Sequence, residues 1–302
     1  MLKVENLCKS YGDFSALSDL NLEMSHPGVY ALLGTNGAGK TTALRAMLGI
    51  LAKDSGSVTW NGKPLHAAND SVGYLAEDRG LYPKYTIAEQ LYYFAALKGL
   101  SKKQARTSVA YWLERLEISD CLKKTPSLLS KGNQQKVQLA AALISHPEIL
   151  ILDEPLSGLD PVNSELFKGI IREQIERDKY VLFSSHQMEL VEEFCNDIVI
   201  LHKSKSVMQG NLNELKRTFG RVFLSVKIEQ TEGNILPLAE NRGIKLLKHT
   251  QWQTDFKVTS QTQAQELLKD IVANDLTLIK YELREPRLHE IFMRAVGEGV
   301  EI

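Results

Sequence analysis

The chain has 302 residues, 43% hydrophobic and 24% charged, the make-up of an ordinary globular protein with room for about two domains. Lys plus Arg number 36 and Asp plus Glu 37, a net charge of −1, without the basic excess of a protein built around nucleic acid. Cys8, Cys121 and Cys195 match no metal spacing and fit reduced thiols; no apolar run approaches the roughly 18 residues that span a bilayer, and the start lacks the apolar core of a signal peptide, so a membrane role would come through a partner.

Residues 1–30 read as short strands. Leu2, Val4 and Leu7 mark the first, ended by the Tyr11-Gly12-Asp13 turn, and residues 16–24 alternate in a second. After a Pro27-Gly28 break, residues 29–33 form a short apolar run that opens into a glycine-rich loop. Leu44, Met47 and Leu48 then repeat at helical spacing. Residues 86–118 read as helical, with Ile87, Leu91, Phe94 and Ala95 on one face. Residues 149–152 and 180–184 are buried-strand runs, and the alternation of apolar strands with helices predicts a mostly parallel sheet covered on both faces.

The pattern changes near residue 220. Val222, Leu224, Val226 and Ile228 alternate strictly, as in a half-exposed antiparallel strand. Strand-like runs follow at 244–249, 255–259 and 276–283. Ala264, Leu267, Leu268, Ile271 and Val272 share a helical face, and a last short helix carries Leu288, Ile291, Phe292 and Ala295 before Gly297 as its cap. These breaks predict two domains, 1–220 and a small α+β domain over 221–302.

Gly34-Thr35-Asn36-Gly37-Ala38-Gly39-Lys40-Thr41 matches the phosphate-loop pattern G-x-x-x-x-G-K-[ST], and Thr42 follows on the helix. The glycines let backbone N–H groups turn inward around phosphate oxygens, and the positive end of the next helix faces the same anion. Lys40 would reach the β- and γ-phosphates, and the Thr41 hydroxyl would ligate Mg2+. The run Ile149-Leu150-Ile151-Leu152-Asp153-Glu154-Pro155 is an apolar strand ending in two acids. Behind a phosphate loop it reads as a Walker-B strand, with Asp153 holding Mg2+ and Glu154 polarising water as general base. Lys40 and Asp153 stand 113 residues apart, more than a minimal P-loop kinase needs. The interval contains Leu129-Ser130-Lys131-Gly132-Asn133-Gln134-Gln135 at the start of an apolar helix. By itself that segment is a second phosphate-binding helix end or an ordinary capped helix start.

As an ordered set, these motifs resemble the ATP-binding subunit of an ABC transporter over residues 1 to about 220. The resemblance implies an α/β P-loop ATPase core with an antiparallel β subdomain and a helical signature subdomain at about 84–146, with the small α+β domain behind it. Ser130, Lys131, Gly132 and Asn133 stand where the family has its LSGGQ signature, with Lys131 replacing the first glycine and Asn133 the glutamine. Tyr11 matches the aromatic that stacks on adenine. Gly73-Tyr74-Leu75-Ala76-Glu77-Asp78-Arg79-Gly80-Leu81-Tyr82-Pro83 resembles the Q-loop, with Glu77 in the glutamine position, where a carboxylate can accept from water or approach Mg2+. Asp160, in Ser157-Gly158-Leu159-Asp160, resembles the D-loop acid that shapes the opposing site, and His186 the switch histidine.

In that family one nucleotide is held by the P-loop of one subunit and the signature of another. The resemblance therefore implies ATP and Mg2+ as cofactors, a second nucleotide-binding subunit and a transmembrane permease as partners, and no nucleic acid. It implies a cytoplasmic protein held on the inner face of the cell membrane by the permease, docked near Leu81 and Tyr82. The Gly80-Leu81-Tyr82-Pro83 segment and the tail Glu285-Pro286-Arg287-Leu288-His289-Glu290-Ile291-Phe292 resemble exporters of drugs, peptides or sodium, sodium efflux being the nearest. An importer ATPase, and a soluble ABC ATPase acting on ribosomes or DNA, are the alternatives.

Overall fold

The computed structural model describes residues 1–78, 80–229 and 235–297; Arg79 of the Q-loop-like segment and the last five residues of the expected C-terminal domain lie outside them. In chain order the first unit contains strands β1 (Leu2–Tyr11), β2 (Phe14–Met24) and β3 (Gly28–Leu33), helix α1 (Lys40–Met47), and strands β4 (Ser55–Trp60), β5 (Lys63–Pro64) and β6 (Val72–Leu75). Helices α2 (Ile87–Leu97), α3 (Lys102–Arg115) and α4 (Lys131–Leu143) follow. Then come β7 (Ile149–Asp153), α5 (Pro161–Glu176), β8 (Tyr180–Ser185), α6 (Met188–Phe194), β9 (Asp197–His202) and β10 (Lys205–Asn211).

Two sheets organise this unit. The first, ordered β2-β1-β4-β5, is antiparallel. The second runs β10-β9-β3-β8-β7-β6, and β3, β6, β7, β8 and β9 pair in parallel. All six residues of β3 and all five of β7 are buried, as strands covered on both faces must be. The core between the sheets packs Leu2, Leu20 and Met24 with Leu32, Leu44 and Ile151. Removing one such leucine side chain would cost about 2–5 kcal/mol. The parallel register ends β3, β7 and β8 together: Leu32 pairs with Ser184, and Asp153 with Ser184 from the other side. Everything that follows these three strands is thereby delivered to one edge, where α/β sheets bind ligands.

The run expected as helical over 86–118 is two helices. Lys98 caps α2, Gly99 turns with φ 78°, and Ser101 starts α3 in a capping box with Gln104. A glycine in the left-handed region followed by a serine cap stops and restarts a helix whatever the apolar period says.

The chain divides after Gln209, near the end of β10 and before the residue-220 boundary that the sequence suggests. Helix α7 (Leu212–Phe219) belongs to the second unit, where the Arg294 guanidinium sits 4.8 Å over the Phe219 ring. That unit continues with β11 (Phe223–Ile228), α8 (Ile235–Asn241), β12 (Lys245–His249), β13 (Thr254–Lys257), α9 (Gln261–Ala273), β14 (Leu278–Arg284) and α10 (Leu288–Ala295). Its antiparallel sheet is ordered β12-β13-β11-β14, with Leu224, Val226 and Phe256 packed against Leu267 and Ile271 of α9. Strand β11 is not half-exposed. Phe223 and Ser225 on its second face are buried, Phe223 under the Arg284 guanidinium and Ser225 donating to Asp255 at 2.6 Å. A central strand with both faces covered can still alternate in polarity when its polar positions find partners.

Candidate functional site

Residues 34–41 leave β3 and enter α1. Gly39 sits before the helix with φ 106°, and a Cβ there would lie 2.5 Å from the Ala16 carbonyl oxygen, so only glycine fits. No side chain caps α1, and its first residues, Lys40, Thr41 and Thr42, line a cleft. The Ala38 methyl is buried in the core beneath the loop, which pins the turn from below.

Lys40 is 6% exposed. Its Nζ donates to the Gly34 carbonyl at 2.8 Å and the Thr35 carbonyl at 3.4 Å, and lies 3.3 Å from Glu154 Oε1. Glu154 is 7% exposed, and its Oε2 is 3.0 Å from His186 Nδ1. Lys40 opens α1 after the loop that leaves β3, while Glu154 and His186 directly follow β7 and β8. A buried ammonium and carboxylate are tolerable only because each is paired and further hydrogen-bonded. Glu154 occupies the left-handed region at φ 48°, a strained conformation for a residue with a Cβ.

Asp153 is fully buried. Its Oδ1 accepts from Ser184 Oγ at 2.6 Å, and its Oδ2 is buried without a hydrogen-bond partner. Burial pushes this carboxyl above the usual range, against the Ser184 and Thr41 hydroxyls that favour its charged form. The Thr41 hydroxyl donates to Glu77 at 3.3 Å, so Glu77 stands beside the first turn of α1. Among the described residues no three His, Cys, Asp or Glu side chains converge as a metal cluster.

A cleft of about 360 Å³ opens over this constellation. Lys40, Thr41, Thr42, Glu77 and Glu154 line one part, Asn36, Gly37 and Gly39 the loop, and Tyr11 with Phe14 the rim. The two aromatics flank the β1–β2 turn and are 52% and 61% exposed, so that a flat ring could stack on them, with Lys9 Nζ 5.5 Å from the centre of the Tyr11 ring. Sequence reasoning alone does not point to Phe14 or Ser184. Phe14 has the signal of its position across the turn from Tyr11; Ser184 has only that of a serine closing an apolar strand.

The structure does not bring every sequence candidate here. Ser130, Lys131, Gly132 and Asn133 open α4 and do not line the cleft. Ser130 Oγ accepts from the Asn133 N–H at 3.2 Å, and a Cβ on Gly132 would lie 3.1 Å from the Asn163 amide of α5. Asp160 caps α5, accepting from the Asn163 N–H at 3.0 Å and from the Asn163 side chain. These two helix starts lie against each other, and neither lines the cleft.

A glycine-rich loop feeding an uncapped helix, a buried lysine and an acid-tipped strand two places along the same parallel sheet define a P-loop nucleotide-binding protein. A family described as "ABC transporter" matches residues 17–157, and one described as "ATP-binding protein DrrA1-3-like, C-terminal domain" matches residues 210–296. The ABC transporter ATP-binding protein YhaQ of Bacillus subtilis is 42% identical over the whole of both chains. The bacitracin transport ATP-binding protein BcrA of Enterococcus faecalis is 30% identical over 99% of this chain and 97% of its own. A solved ATP-binding subunit of an ABC transporter superposes with a TM-score of 0.67 at 29% identity, covering 73% of this chain and 93% of that one. The chain belongs to the ATP-binding subunits of ABC transporters.

Proposed function

We propose that the protein binds and hydrolyses MgATP between the phosphate loop of one chain and the α4 start of a second, and that this cycle drives a membrane permease in export. The observation that carries the reading is the convergence of Lys40, Glu154 and His186 beside the unpartnered Asp153 oxygen, with residues 130–133 and Asp160 held elsewhere. Half of a phosphate site stands in the cleft. Residues 130–133 and Asp160, which do not line that cleft, would form the other half when a head-to-tail partner presents them.

The donors fit magnesium. Thr41 Oγ1 and Asp153 Oδ2 are hard oxygens, Oδ2 lacks any other partner, and magnesium is ordinarily held by one or two such groups together with substrate phosphates. Bound there, it would neutralise charge on the β- and γ-phosphates. Glu77 would first release Thr41 and could then accept from a water at the metal. Lys40 exchanges its loop carbonyls and Glu154 for phosphate oxygens. Freed of the ammonium, Glu154 takes the proton of the attacking water, and His186 orients it through the 3.0 Å contact. Tyr11 stacks on the base.

Among the described residues no helix is long and apolar enough to cross a membrane, which supports a separate permease as the moving part. A groove of about 430 Å³, lined by Tyr74, Leu81, Phe94 and Leu97 next to the Glu77 segment, is suited to receive it on the cytoplasmic side. The whole-length likeness to a bacitracin-transport protein supports export; sodium or a peptide as cargo is for the permease to select. Glu154→Gln should retain ATP binding, lose about 10²–10⁴ in turnover, and trap a dimer with ATP. Turnover assays with size-exclusion chromatography test this, and unchanged turnover would remove Glu154 from the base role.

A further inference from the structure

We infer that Ser184 is the positioning residue of the metal and water-activating acids, setting Asp153 and Glu154 at once through a single hydroxyl. The inference rests on the MgATP reading above and concerns how its two acids are held.

Ser184 is completely buried near the end of β8, directly opposite Asp153 across the parallel β7–β8 pairing. Its Oγ makes two bonds. It accepts from the Glu154 N–H at 2.9 Å and lies 2.6 Å from Asp153 Oδ1. A hydroxyl carries one proton, and an ionised carboxylate can only accept, so that proton goes to Oδ1. The assignment leaves Oδ2 as the unclaimed lone-pair face of Asp153, and this is the buried oxygen without a partner.

The second bond acts on backbone. Glu154 turns into the left-handed region immediately after the strand, and its amide would be a buried orphan without Ser184. Tying down that amide fixes the point from which the Glu154 side chain departs toward Lys40 and His186. One hydroxyl thus couples the orientation of the carboxylate that meets the cation to the backbone of the acid that meets the water. Outer partners of metal-binding carboxylates govern metal affinity in this way, typically by 10–100-fold.

The test compares Ser184→Thr with Ser184→Val, two side chains of nearly equal shape in a strand that suits both, differing in the hydroxyl; Ser184→Ala is the cavity control. Binding of a fluorescent ATP analogue is measured by anisotropy in EDTA and over a magnesium titration, alongside ATP turnover. The inference predicts that all variants bind the analogue in EDTA within about twofold of wild type. Valine and alanine should then need about 10–100-fold more magnesium and lose kcat more than KM worsens, while threonine restores both. A general packing role would damage threonine and valine alike and would weaken binding in EDTA; that result overturns the inference. So does a wild-type magnesium response in the valine variant. If the wild-type chain itself shows no magnesium effect and no ATP turnover, the MgATP reading falls first, and Ser184 with it.

Discussion

Helices α1 and α4 start in opposite ways. The N-terminus of α1 has a left-handed glycine and no side-chain cap, so its free N–H groups are open to an anion. The N-terminus of α4 has Ser130 folded over the Asn133 N–H, and it is closed as an ordinary helix start. The first is a site within one chain. The second becomes one, on the proposed reading, only when another chain brings a phosphate to it.

Breaking the α1 side should have the largest effect. Lys40→Ala removes the only buried cation among the described residues that line the cleft, and MgATP binding and hydrolysis should both be abolished. Equilibrium binding of labelled ATP and steady-state turnover would show it; wild-type behaviour in both would refute the phosphate-loop assignment. The α4 side should break differently. Ser130→Ala should cost about 1 kcal/mol of stability as a lost cap, leave ATP binding by the isolated chain intact, and lower turnover. Thermal melts with binding and rate measurements separate these effects. A loss of binding equal to that of Lys40→Ala would erase the distinction between the two helix starts.

Removing the second unit should do least. A chain ending at Asn211, the last residue of β10, retains both helix starts and the whole six-stranded sheet, so ATP affinity should stay within a few-fold of the full chain. Any change should be in the dependence of turnover on protein concentration. Isothermal titration and rate-versus-concentration curves test it, and an unfolded product would show that the second unit completes the core.

The phosphate loop was legible because its chemistry is contiguous: eight residues, fixed spacing, an apolar strand before and a helix after. Asp153 and Glu154 were legible because they end an apolar run. Ser184 was not, because its meaning depends on register. Only when β8 lies beside β7 does one serine face both acids. The alternation at 222–228 gave the right strand and the wrong exposure, since Phe223 and Ser225 are covered by groups from Arg284 and Asp255, about 30–60 residues away. Asp160 illustrates the converse. The sequence suggests an acid for an opposing site, and the structure shows that side chain engaged at the head of α5, where the proposed partner would find it.

The most direct test of a shared site is complementation in trans. Lys40→Ala chains and Gly132→Asp chains, the second placing a carboxylate where the partner's phosphate would come, should each be inactive alone. Mixed in equal amounts, they should recover about a quarter of wild-type turnover, because half of randomly paired head-to-tail dimers contain one intact site. A mixture no more active than its components, or a Gly132→Asp chain fully active alone, would contradict the claim that one nucleotide is held by two chains.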